Sequence, residues 1–370
     1  MQLNDAPSYH RPFPFWFWNG AIEPTELVRQ LRLMHEQGIQ EAIPHARWGL
    51  EVEFLSEEWF RCFDAVLDEA RDLGMRLWVY DEENWPSGAA GGKITGQERF
   101  VEHYLDEDGK LRVVESRPEL SPDFLNREAT DAFIRLAYQS YYDRYADDFG
   151  ETIPGFFNDE VRFKNARPWS DYLGEPPDDP EFAREVGRLM VENYFRPISD
   201  WCAEHGVDLI GHVMGEETLG SQVRYVGRIM DALACFHQPG VDHLGPSAEG
   251  MHPRYGASVG ELLNNRPVTC ETGAHLPWNF ELRDLYRLSG WLYSRGVTRM
   301  VLHGFYYQHE YGDALDDAPP DMFYRWEHWE RMHEYIEWAG RVQYFLHRAR
   351  PVVRVGLYYP REEFIEDYVP

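Results

Sequence analysis

The acids and histidines of this chain gather at the ends of short apolar runs. TIPGFFNDE (Thr152–Glu160) closes on Asn158, Asp159 and Glu160, and PVTCETGAH (Pro267–His275) carries Glu271 and then His275. VDLIGHVMGEE (Val207–Glu217) carries His212, Glu216 and Glu217. Two carboxyl groups facing each other suit cleavage of a glycosidic bond: one protonates the leaving oxygen, and the other activates water or attacks the anomeric carbon. Glu160 is the candidate acid, Glu271 the candidate base or nucleophile, and Glu217 a rival for the second role. The acid must stay protonated near neutrality, which apolar neighbours achieve by opposing ionisation; Phe156, Phe157 and Phe163 are in place to do this for Glu160. Side chains alternate along a strand, so Asn158 and Glu160 are expected on one face and Asp159 on the other.

The remaining run ends supply what a sugar needs for binding. Hydroxyls call for amides, acids and histidines, and the flat C–H faces of the ring pack on indoles. The expected binding residues are Asn19, His45, Arg47, Trp48, Asp81, Glu83, Trp85, Asn158, His212, Glu216, His275, His303 and Tyr306, with no residue assigned to a metal. Any one of them serves equally well as a helix cap or salt-bridge partner; the set as a whole argues for a site. Trp16 is expected to pack in the barrel wall, and Trp18 fits the wall and the site equally.

These positions need elements to carry them. Eight strand-like runs begin near Pro14, Glu41, Met75, Thr152, Val207, Val241, Pro267 and Val297, with helix-like stretches between them. Leu27, Leu31 and Met34 form one helical stripe after Pro24, and Gly38 ends it. Ser56 reads as an N-cap before Glu57 and Glu58, with Phe63, Val66, Leu67 and Ala70 facing inward and a stop near Gly74. Alternating strands and helices predict parallel βαβ units, and eight of them close into a (β/α)8 TIM barrel whose chemistry sits at the C-terminal strand ends. The rival, a doubly wound sheet, lacks any GxGxxG or GxxxxGK[ST] after an early strand. Asp108-Gly109 between β-prone segments predicts a small β-hairpin insertion after strand three, at about 96–122. The barrel is placed at 1–350. PVVRVGLYYP (Pro351–Pro360) reads as a strand, so 351–370 is expected to be the start of a further domain or a C-terminal strand extension.

The series PFWFWNG, IPHARWG, VYDEENWPSG, DFLNREATDAFI, GFFNDE, GHVMGEE, TCETGAH and HGFYYQ resembles the glycoside hydrolase family 106 (α-L-rhamnosidase) superfamily, and more closely its bacterial glycosyl-hydrolase relatives. The resemblance runs from Pro14 to about Gln308. It implies a (β/α)8 catalytic domain, carboxylate acid/base catalysis with inversion, Glu160 and Glu271 in the two catalytic roles, and a calcium ion helping to bind the sugar. Characterised rhamnosidases are longer and have downstream β-sandwich domains, which leaves rhamnose specificity and the calcium site open.

Composition narrows the alternatives. The 370 residues carry 36 Lys+Arg against 64 Asp+Glu, a net charge of −28, which disfavours nucleic acid and anionic membranes as partners. Four cysteines without CxxC spacing read as reduced structural thiols. No signal-peptide core or membrane-length apolar run is present, so the cytoplasm is the expected compartment. The expected partner is a small glycoside or an oligosaccharide end, and a bare terminal strand would invite a homo-oligomer. Two further readings stand beside the glycosidase. One is a metal-dependent sugar isomerase or hydrolase in which His45, Asp81, Glu160, Glu217, His243 and Glu271 converge on a divalent ion. The other is a non-catalytic carbohydrate-binding barrel.

Overall fold

The computed structural model describes residues 10–114, 121–174, 179–264, 266–309 and 321–367. Twelve strands occur among them. The first, β1 (Phe13–Trp18), is followed by β2 (Glu41–Ala46), β3 (Arg76–Leu77) and β4 (Val79–Tyr80). Next come β5 (His103–Leu105), β6 (Leu111–Val113), β7 (Gly155–Val161) and β8 (Pro168–Trp169). The series ends with β9 (Asp208–Val213), β10 (Gln238–His243), β11 (Thr269–Thr272) and β12 (Arg299–Tyr306). The main sheet runs β3-β2-β1-β12-β11-β10-β9-β7-β4, and its pairings are parallel. Only Trp78 separates β3 from β4, so the two are halves of one stave and the ring closes with eight: the expected (β/α)8 barrel.

The local signals act as their chemistry requires. Pro24–Glu36 is a helix that buries Leu27, Leu31 and Met34, and Gly38 beyond it has φ +79°. Ser56 accepts from the Trp59 amide at the start of Glu57–Leu73, and Gly74 ends that helix in the left-handed conformation. In β1 the alternation sorts the aromatics. Phe13, Phe15 and Phe17 fill the barrel interior with Ile43, Trp78, Tyr80, Phe157, Ile210 and Val301, while Trp16 and Trp18 face the helical layer. Trp18 is therefore core. Asp106–Lys110 turns the expected hairpin, with Gly109 at φ +72°. A third strand, β8, joins it antiparallel from beyond β7, so the insertion is tied to the segment after the fourth stave. The terminal run, expected as a strand extension or the start of a further domain, joins no sheet among the described residues. Pro351–Pro360 has no regular structure, and Val352, Val355 and Leu357 are each more than 80% exposed. A β-prone run becomes a strand only where a sheet edge offers partners, and a closed barrel has none. A short helix, Arg361–Asp367, follows.

The N-terminal mouth of the barrel is sealed by charge. Glu41 of β2 takes hydrogen bonds from Arg76, Arg299 and Trp78 Nε1, and Arg299 also donates to Gln238 Oε1 at 2.8 Å. Arg299 lies over the Phe13 ring at 4.6 Å, and burial lowers its pKa to about 10. Removing one side of such a pair strands the other charge in the interior. Glu41→Leu is expected to cost about 3–5 kcal/mol in urea unfolding, and Glu41→Leu/Arg299→Met to recover most of it; equal loss in both variants would show that shape, not charge, matters there.

Candidate active site

At the opposite mouth, the ends of β2, β7, β11 and β12 and the loops after β4, β10 and β11 enclose a cavity of about 180 Å³. Phe15, His45, Arg47, Trp85, Asp159, Glu160, Glu271, His275 and His303 line it, with Leu244 and Ala274. Of the expected catalytic acids, Glu160 and Glu271 meet here. Glu217 is exposed and does not line the cavity; its neighbour Glu216 is the buried one, its Oε2 accepting from the Asp242 amide at 3.1 Å.

The alternation expected along β7 fails. Its register with β9 shifts between Asn158 and Val161, and Glu160 sits at φ +44°, a conformation that strains any residue with a Cβ. The bulge turns Asp159 and Glu160 toward the same cavity. Asn158 points elsewhere, donating to Asp81 Oδ2 and Tyr194 OH at 2.8 Å each. A buried network holds the bulge. The Asp159 amide donates to Ser87 Oγ at 2.8 Å, Ser87 donates to Asp81 Oδ1 at 2.5 Å, and Tyr138 donates to Asp81 Oδ2. Tyr138 and Tyr194 come from π-turns, Ile134–Tyr138 and Val191–Phe195, that interrupt the two helices flanking this stave. Asp81 is thus a bolt behind the site, and burial raises its pKa to about 7.

His212 is the hub of the charges. Its Nε2 stands 3.0 Å from Asp159 Oδ1, 3.6 Å from Glu271 Oε2 and 3.9 Å from Asp242 Oδ2. Burial opposes its charge, but the three carboxylates outweigh burial and push its pKa well up, so it is an imidazolium. Asp159 is held from its other oxygen by Tyr80 OH at 2.6 Å. Glu271 receives no side-chain hydrogen bond among the described residues; burial and the neighbouring acids raise its pKa, and His212 opposes them. Glu160 is raised to about 8 by burial first, then by Asp159 and Asp242, with His212 and Arg162 pulling the other way. Of the three phenylalanines expected around it, only Phe157 faces the barrel interior; Phe156 and Phe163 belong to the helical layer.

The remaining expected residues divide by place. His45 packs on Tyr80 with ring centroids 3.6 Å apart, and His303 is buried; burial, helped by Arg47, lowers both pKa values well below the ordinary value, so both are neutral. Arg47 lies over Phe17 at 4.6 Å and Trp85 at 4.3 Å. Asn19 clamps Gln308 through both backbone groups, and Tyr306 packs on Phe17; neither lines the cavity. Trp48 and Glu83 line a second cavity beside the first. Asp159 and Asp242 were missed as site residues. Asp159 was set aside by the alternation argument, and no sequence signal marks the bulge.

The six residues expected to converge on an ion do not. Glu217 is exposed and His243 is bound to His252 and the Ser247 carbonyl. Two other groups bring ligand atoms within 4.8 Å of one another: Asp159, His212 and Glu271, and Glu160, His212 and Asp242. Both depend on the same His212 nitrogen. Calcium prefers a shell of oxygens alone, and a set that needs an imidazole nitrogen does not fit it.

Comparison with known proteins supports the fold. No family model matches the sequence, and no curated protein does. Among solved structures, a rhamnosidase from Novosphingobium sp. PP1Y superposes with TM-score 0.72 at 12% identity, covering 94% of this chain and 60% of the rhamnosidase. A β-galactosidase from Halorubrum lacusprofundi gives 0.57 at 14% identity over 93% of this chain and 59% of its own. An endo-1,4-β-D-mannanase from Thermotoga petrophila gives 0.55 at 12%, over 89% and 99% respectively. The chain thus spans about three-fifths of the first two. These neighbours are glycoside hydrolases with the same barrel. No helix among the described residues is long and apolar enough to cross a membrane.

Proposed function

We propose that the chain is a glycoside hydrolase that cleaves a terminal glycosidic bond, with Glu160 as general acid and Glu271 as base or nucleophile. The observation that carries this reading is the meeting of Glu160 and Glu271, from staves three places apart in the ring, in one mouth cavity beside His212. Protonated Glu160 gives its proton to the leaving oxygen as the C–O bond breaks. Glu271 takes a proton from the water that attacks the anomeric carbon, or attacks that carbon itself and is later released by water; the anomer formed first, read by NMR, decides between the two. His212 offsets the standing charge of Asp159 and favours the ionised form of Glu271 that the second role requires. His45, His303 and Arg47 offer hydrogen bonds to sugar hydroxyls, and Phe15 and Trp85 offer apolar faces. The rhamnosidase among the structural neighbours, together with the sequence resemblance, makes an α-L-rhamnoside the first substrate to try.

A panel of nitrophenyl glycosides, rhamnosides and galactosides included, tests the reading. At least one is expected to be turned over, with activity falling as pH rises through about 8, where Glu160 loses its proton. Sugar binding in calorimetry without hydrolysis of any member would favour a carbohydrate-binding barrel instead. A metal-dependent sugar isomerase or hydrolase is the second reading, favoured by the two ligand clusters around His212. Dialysis against EDTA separates the readings: unchanged kcat is expected for the carboxylate mechanism, and loss restored by a divalent ion for the metal one.

A further inference from the structure

Beside the mouth cavity, across the indole of Trp85, lies a second cavity of about 200 Å³. We propose that it is a second sugar subsite, for a neutral residue adjoining the scissile bond, so that the substrate is a disaccharide or a longer oligosaccharide end. This deepens the glycosidase reading and rests on it.

Four observations carry the assignment. The two cavities are of similar size, and Trp85 lines both. The second has its own aromatic surface in Trp48, whose ring meets Trp85 at 6.2 Å and 76°. Arg47 over Trp85 at 4.3 Å fixes that ring. The cavity also holds polar groups. Asn84 lines it while only 7% exposed, and its side-chain oxygen has no hydrogen-bond partner among the described residues. Glu83 adds a half-buried carboxylate. Finally, the wall is built in advance. The Glu82 carboxylate accepts from the amides of Gly88 at 3.0 Å, Ala89 at 2.7 Å, Ala90 at 2.8 Å and Gly91 at 2.5 Å, which pins the loop that turns the cavity. Gly91 has φ +63°, in the left-handed region that favours glycine. A wall fixed before binding spares the ligand the cost of ordering it.

The charge narrows the class. The wall carries Glu83 and Lys164, one charge of each sign, and the net charge of −28 opposes a uronate or sulfated sugar. A neutral ring, stacked on indole and hydrogen-bonded through its hydroxyls, meets every feature of the cavity.

The test compares two substrates that share the sugar identified by the nitrophenyl panel. Its glycosyl fluoride fills the mouth cavity alone, and a disaccharide with a neutral second residue reaches both. The expected result is a higher kcat/KM on the disaccharide than its poorer leaving group predicts. Trp48→Ala should lower kcat/KM on the disaccharide about 10-fold more than on the fluoride, and Trp48→Phe should restore most of it. Equal loss on both substrates, or a Phe variant no better than Ala, overturns the second subsite while leaving the glycosidase intact. No turnover of fluoride or aryl glycoside by the wild type overturns the glycosidase reading and this one together.

Discussion

Glu160→Gln is expected to slow cleavage of an alkyl glycoside by about 10²–10⁴-fold while costing an aryl glycoside with an acidic phenol much less. An alkoxide needs a proton as it leaves, and a nitrophenolate does not, so the difference between the two substrates isolates the acid role. The amide keeps the shape of the side chain and its place on the bulge. The same variant makes a second, opposite prediction. The Glu160 carboxyl is raised to about 8 in the folded protein, above its ordinary value of 4.5. The stability tied to its proton is therefore fully present below about 4.5 and is lost as pH rises through about 8. A buried amide does not ionise. Thermal unfolding of Glu160→Gln should match the wild type near pH 5 and exceed it above pH 8, so that activity falls while stability rises. Equal loss on both leaving groups would take the acid role away from Glu160, and a variant less stable than wild type above pH 8 would show that its carboxylate is not held against its charge.

Glu271→Gln is expected to reduce kcat by at least about 10²–10⁴-fold on alkyl and aryl glycosides alike, because no leaving group substitutes for the base or nucleophile. The choice of Glu271 over Asp159 rests on how each is held. Asp159 is held at one oxygen by the Tyr80 hydroxyl and faces His212 Nε2 at 3.0 Å with the other, so its charge is engaged with two neighbours. Glu271 lines the same cavity without a side-chain hydrogen bond among the described residues, His212 Nε2 standing 3.6 Å from its Oε2. Asp159→Asn should therefore act through His212. The imidazolium loses its nearest counter-charge, its pKa falls, and the pH profile shifts while measurable turnover survives. A loss in Asp159→Asn as deep as in Glu271→Gln, with an unshifted profile, would move the second catalytic role to Asp159.

Several parts of this site were legible in the chain because they depend on local rules. Acids cluster where apolar strands end, and in a closed barrel those ends converge, so Glu160, Glu271, His45, Arg47, Trp85, His275 and His303 are found together at one mouth. His212 was placed at the site as a sugar contact; its position among three carboxylates makes it a charge hub. Asn19, Asp81 and Asn158 sit at strand ends too, yet they bolt one element to the next. A polar side chain at a strand end looks the same in sequence whether it meets substrate or a tyrosine from a helix, because that partner is set by packing over 57 residues in Asp81–Tyr138.

By itself, the sequence determined the barrel, the hairpin, the helix stops and the mouth at which the acids gather, since these follow from periodicity, capping and turn chemistry over a few neighbouring residues. Tertiary structure alone decided three things. It placed Asp159 beside Glu160, because alternation holds only while the ladder is unbroken and a bulge shifts it by one residue. It buried Glu216 and exposed Glu217, because the end of a strand is fixed by its partners. It left Pro351–Pro360 without a sheet, because a β-prone segment needs an open edge and the closed ring offers none.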